Sequence, residues 1–195
     1  MQHPARSHVP LNTEGFAHPV RNSLHFELQP GMQVADFGAG SGHYVWPIAE
    51  AIGEGGKLYA IDVQRELLKR IHNESAKRGL KNVKIIWSDL EKPKASKLAG
   101  GTIDLVLISN LLFQLEDTAV VLREAKRILK PSGSLVAIDW ADSFGMMGPH
   151  KKQVVAKAAG DALIREAGFE IVREFNAGAH HWGLIARPDL GTPIV

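Results

Sequence analysis

Three aspartates and a run of glycines stand where short apolar segments end, and these residues are the best placed in the chain to do chemistry. The stretch Val34-Ala35-Asp36-Phe37-Gly38-Ala39-Gly40-Ser41-Gly42 passes from a strand-like pattern into glycines and then into a helical one. Backbone N–H groups at such a turn face a ligand, and glycine admits the ligand without a Cβ in the way. The spacing narrows the choice of ligand. A dinucleotide fingerprint with glycines at 38 and 40 needs its third at position 43, which is His43; the glycine comes one residue early, at Gly42. Asp36 would repel a pyrophosphate, whereas a cationic ligand suits it. No Lys-Ser/Thr pair follows the glycines, so this is not a P-loop. Asp62 and Asp89 close the next two strand-like segments, in Tyr59-Ala60-Ile61-Asp62 and Ser88-Asp89-Leu90. Each also has a plainer reading, Asp62 as the N-cap of a following helix and Asp89 as a turn residue.

The elements that must hold these residues alternate between periods of two and of 3.6. Strands are expected at residues 33–37, 57–61, 83–87, 103–108 and 134–140. Helices are expected at about 44–52, 65–77 and 118–130, with Pro131-Ser132-Gly133 as the break after the last. The run at 103–108 is apolar throughout, as for a central strand covered on both faces. A final helix ends near Ala167 with Gly168 after it, and residues 169–175 and 181–186 close the chain as an antiparallel hairpin. Residues 1–23 read as an N-terminal arm, and 24–195 as a single α/β domain.

On these residues the chain resembles the class I S-adenosylmethionine-dependent methyltransferases, over roughly residues 24–187. The resemblance implies a doubly wound, Rossmann-like, seven-stranded sheet, mostly parallel with an antiparallel C-terminal strand. It implies S-adenosyl-L-methionine as cofactor and S-adenosyl-L-homocysteine as product. Asp36, Phe37, Gly38, Ala39, Gly40 and Gly42 would then wrap the methionine part. Asp62, with Val63 beside it, would hold both ribose hydroxyls, since a carboxylate can accept two hydrogen bonds from a vicinal diol. Asp89 and Leu90 would meet the adenine. Ser109-Asn110 ends the fourth strand beside the reacting centre; Asn110 is assigned to the cofactor, with local capping as its other reading. The segment from Arg123 to Leu135 is similar to the helix-turn-strand that precedes the family's fifth strand. The motif wording is most similar to the quinone C-methyltransferase and small-molecule branch. Leu28-Gln29-Pro30-Gly31-Met32 is also similar to protein isoaspartate and transfer-RNA adenine methyltransferases. The family's arsenite enzymes depend on cysteines, and this chain has none.

The acceptor is expected to be a small molecule, with a protein or RNA methyltransferase and a non-catalytic cofactor-binding scaffold as alternatives. A general base is needed only if the acceptor must lose a proton; His150, His180 and Asp139 are candidates, and none is assigned a catalytic role. The segment from Trp140 to His150, with Phe144, Gly145, Met146, Met147 and Gly148, could form an adaptable apolar wall over an acceptor. The N-terminal arm could close over the cofactor through Phe16 and Pro19. Phe37 and Tyr44 are expected to pack around the glycine loop. Nine histidines raise a metal reading. The adjacent His180 and His181 would point to opposite faces of a strand, and no metal is expected. The net charge of +2 gives no argument for nucleic acid, and Lys92, Lys94 and Lys97 read as a solvated loop. With no membrane-length apolar run and no secretory signal, the expected setting is the cytoplasm.

Overall fold

The apolar run at residues 103–108 lies at the centre of one sheet. In the computed structural model, which describes residues 17–144 and 148–191, it belongs to strand β4 (Ile103–Ser109). The others are β1 (Gln33–Phe37), β2 (Lys57–Asp62), β3 (Val83–Trp87), β5 (Leu129–Trp140), β6 (Phe169–Asn176) and β7 (His181–Pro188). Their order is β3-β2-β1-β4-β5-β7-β6. Pairing is parallel through the first five and antiparallel on both sides of β7, so β7 alone runs against the rest. This is the expected mostly parallel sheet.

Among the described residues, the α-helices α1 (Pro19–Ser23), α2 (Val45–Ile52), α3 (Arg65–Lys77), α4 (Thr118–Ile128) and α5 (Lys157–Glu166) and a single helical turn at Leu112–Gln114 complete the order. Leu105 and Leu107 of β4 join the apolar cluster that contains Ile48 of α2 and Ile71 of α3. Val106 and Ile108 join the cluster that contains Leu122 of α4 and Ile164 of α5. Alternate residues of one strand thus feed two cores, which is why β4 has no polar face. No helix among the described residues is long and apolar enough to cross a membrane.

Two boundaries differ from the sequence reading. The helix expected through residue 130 stops at Ile128, and β5 begins at Leu129 rather than residue 134. Leu129 pairs with Ile103, and the register then shifts so that Leu105 faces Ser134. Pro131 and Ser132 are therefore an exposed irregularity within an extended segment, where a proline is tolerated. The second difference is α1, which lies inside the expected arm. His18 caps it by accepting from Arg21 N, and Pro19 takes the first helical position. Five residues are too few to show a helical period. Phe16, the other arm residue singled out, lies outside the described residues, as do Gly145, Met146 and Met147.

The topology dictates where a ligand can sit. The chain leaves β1 toward β2 and β3, then returns to β4 on the other side, so the connections after β1 and β4 diverge. A crevice opens outside the carboxyl ends of strands at such a switch point.

Candidate active site

At that switch point lies a cavity of about 630 Å³, walled by the carboxyl-terminal ends of β1 to β4. Of the residues expected to hold a cofactor, Asp36, Gly38, Ala39, Gly40, Asp62, Val63, Asp89, Leu90 and Asn110 line it, whereas Phe37 and Gly42 do not. The Phe37 side chain is fully buried in the core that also holds Leu122. Gly42 has φ +82°, and a Cβ there would lie 2.9 Å from Ile71 Cγ1 and 3.0 Å from Trp46 Cζ2. Gly42 thus lets the loop pack closely against Ile71 of α3 and Trp46 of α2. Gly42→Ala should lower stability by about 1–2 kcal/mol through the left-handed backbone alone, read as a lower denaturation midpoint.

The loop is held from the second strand. Asp62 is buried; its Oδ2 accepts from Gly40 N at 2.8 Å and its Oδ1 from Gln64 N at 2.8 Å. The N-cap of α3 is Gln64, so Asp62 is not that cap. Two backbone bonds leave lone pairs free on both carboxylate oxygens. Asp89 combines the two readings given to it, since it lines the cavity while its Oδ1 accepts from Glu91 N at 3.0 Å. Asn110 has φ +53°, a strained position of the kind that gathers at functional sites. Its Oδ1 is buried and without a partner among the described residues, so its side chain does no local capping.

Asp36 is buried beside these groups. Burial, reinforced by the charge of Asp62, pushes its carboxyl up from 3.8 to about 7. Glu91, which sequence reasoning missed, also lines the cavity, and its Oε1 accepts from Glu116 N at 2.7 Å and Asp117 N at 2.6 Å. Tyr44 packs in the core as expected, yet it also lines the cavity. Its hydroxyl accepts from Asn22 Nδ2 at 3.0 Å. Asn22 Nδ2 donates a second bond, at 3.0 Å, to the carbonyl of Ala177. Asn22 thus ties α1, whose first residue Pro19 lines the cavity together with Ala17, to the start of α2 and to the β6–β7 turn. Asn22→Ala should cost about 1–2 kcal/mol of stability, since it strands two buried acceptors. Chemical denaturation checks this.

The three candidate bases do not reach the cavity lining. Asp139 is fully buried, and its oxygens accept from Leu112 N and Trp140 N at 2.8 Å each. It therefore braces the single helical turn Leu112–Gln114, whose Gln114 lines the site. Burial raises its carboxyl to about 6. His180 Nδ1 lies 2.8 Å from Asp142 Oδ1, and His150 is exposed. His43, the residue that broke the dinucleotide spacing, is the histidine among the described residues that lines the cavity.

Comparison with known proteins agrees with this geometry. A family model described as a methyltransferase domain matches residues 28–179. A solved SAM-dependent methyltransferase from Aquifex aeolicus superposes with a TM-score of 0.78 at 32% identity, covering 86% of this chain and 88% of that one. An arsenite methyltransferase from Aquipseudomonas alcaligenes is 34% identical over 57% of this chain and 34% of its own length. A demethylmenaquinone methyltransferase from Geobacillus stearothermophilus is 31% identical over 57% of this chain and 47% of its own. The chain thus spans between a third and a half of the length of these two curated relatives. With the sheet order, the glycine loop and the matched span in agreement, the chain belongs to the class I S-adenosylmethionine-dependent methyltransferase family.

Proposed function

We propose that this protein binds S-adenosylmethionine in the switch-point cavity and transfers its methyl group to a small-molecule acceptor in the cytoplasm. The observation that carries the reading is the charge of the lining. Asp36, Asp62, Asp89 and Glu91 contribute carboxylates, and among the described residues no Lys or Arg joins them. A nucleoside bearing a sulfonium and an ammonium suits such walls; a pyrophosphate does not. Asp62 has lone pairs left for a ribose diol, and Asp89 faces the cavity where an adenine amino group could donate. Asp36 sits where a cation would stabilise its ionised form. The buried, unpartnered Oδ1 of Asn110 is a further acceptor in the same wall.

When bound, the cofactor supplies an electrophilic methyl group, so the protein's task is chiefly to align the acceptor and exclude water. Leu111, Leu115, Ala17 and Pro19 give the cavity its apolar side. Tyr44, held by Asn22, places a hydroxyl at the wall. Small-molecule acceptors are favoured by the relatives' names, arsenite and demethylmenaquinone methyltransferases among them. Arsenic held by the chain's own thiolates is not an option here, because there is no cysteine.

Calorimetry on the full chain tests the binding half: S-adenosylmethionine and S-adenosylhomocysteine should both bind, and NAD should not. Failure of both would leave a scaffold without cofactor. Labelled cofactor incubated with a fractionated cell extract tests the other half. Label found only in protein or RNA would move the acceptor to a macromolecule.

A further inference from the structure

The glycine loop spends its own N–H groups inside the fold. Gly38 N and Ala39 N both donate to the Ile61 carbonyl, at 2.9 and 3.0 Å. Gly40 N donates to Asp62 Oδ2 at 2.8 Å, and Gly42 N to the Ala39 carbonyl at 2.9 Å. Four amides that the motif would turn toward a ligand are thus committed to β2 and to the loop itself. The methionine part of the cofactor carries a carboxylate as well as an ammonium, and that anion still needs a donor. We propose that the Tyr44 hydroxyl is that donor and that Asn22 aims it. This deepens the reading of the cavity as the S-adenosylmethionine site and rests on it.

The direction of the Asn22–Tyr44 bond follows from a third group. The Ala177 carbonyl can only accept, so the atom 3.0 Å from it must be the Asn22 amide nitrogen, and that same atom lies 3.0 Å from the Tyr44 oxygen. Tyr44 therefore accepts from Asn22, and its own proton remains to be donated. The side chain is buried and lines the cavity. Burial, reinforced by the charge of Asp36, raises its pKa, so the hydroxyl keeps that proton. Its place beside Asp36 matters, because the ammonium and carboxylate of the tail branch from one carbon. A tail that sets its ammonium against Asp36 brings its carboxylate alongside, where an anion without a donor would be repelled. Among the described residues no Lys or Arg lines the cavity to offset it. Ser41 and His43 also lie on the loop and line the cavity, but both are exposed. A bond from a buried hydroxyl is the stronger one, since water competes less for it.

Decarboxylated S-adenosylmethionine keeps the nucleoside, sulfonium and ammonium and lacks the carboxylate, so it isolates the contact. In calorimetry on the full chain, the unaltered protein should bind S-adenosylmethionine more tightly than the decarboxylated form. Acidic walls alone would give the opposite order, since the decarboxylated form is the more cationic. Tyr44→Phe should weaken S-adenosylmethionine binding about tenfold, as for a lost hydrogen bond to a charged group, and leave the decarboxylated form within about twofold. Asn22→Ala, acting through Tyr44, should show the same split to a smaller degree. Tighter binding of the decarboxylated form by the unaltered protein would overturn the inference. So would a Tyr44→Phe chain that loses neither ligand, or both equally. The first comparison needs no variant, so the inference can fail even where Tyr44→Phe does not fold. If neither form binds the unaltered protein, the cofactor assignment itself is what fails.

Discussion

Asp62→Ala weakens S-adenosylmethionine binding by about 1.5–3 kcal/mol, as expected when charge-assisted hydrogen bonds are removed; that is roughly a ten- to hundredfold rise in Kd. Two losses act together. The ribose diol would lose its acceptor, and Gly40 N and Gln64 N lose the oxygens that now hold the loop and the entry to α3. Asp62→Asn keeps one acceptor oxygen and should fall between the two proteins. Thermal unfolding of the empty protein separates the contributions, because only the loop's loss appears without ligand. Unchanged affinity in Asp62→Ala, with the fold intact, would mean that the ribose lies elsewhere.

Local constraints made this part of the site legible in the sequence. Gly38 and Gly40 take positive φ values of 72° and 53°. Such backbone favours glycine, and it sits next to the strand end that positions it. Strand ends are just as local, so Asp62, Asp89 and Asn110 could be placed from where each apolar run stops. The misses are non-local. Asn22 reaches Ala177 across 155 positions, and nothing near Asn22 announces that contact. Asp139 is one of the three candidate bases named from the sequence. Its oxygens are taken by N–H groups of the turn at Leu112 and of Trp140, which only the folded chain brings together. Gly42 packs closely against α3, a use of glycine that the motif spacing does not distinguish from close approach to a ligand. The early start of β5 was hidden because Pro131 and Gly133 carry the signals of a break while the backbone stays extended.

Family membership and fold leave the chemistry partly open. The cyclase SpnF shares the fold at a TM-score of 0.76 with 16% identity. Function therefore has to be argued from the wall of the cavity, and there the buried carboxylates carry the most information. They set both what binds and how binding responds to pH.

Asp36 makes that response measurable. Burial, and then the neighbouring charge of Asp62, raise its carboxyl from 3.8 to about 7, so the empty folded protein keeps a proton that the unfolded chain releases above about pH 4. The folded state binds more protons between these values, and stability falls as pH rises. The contribution is full below 3.8 and is lost through about pH 7. A bound cation reverses the preference by stabilising the carboxylate, so binding expels the proton. Affinity for S-adenosylmethionine should therefore climb by up to about tenfold per pH unit between pH 5.5 and about 7, then level off. Asp36→Asn should flatten the slope and leave affinity at pH 7.5 near the low-pH level. Calorimetry across that range, with thermal unfolding of the empty protein alongside, measures both signs. A pH-independent affinity in the unaltered protein would show that Asp36 does not face the cation.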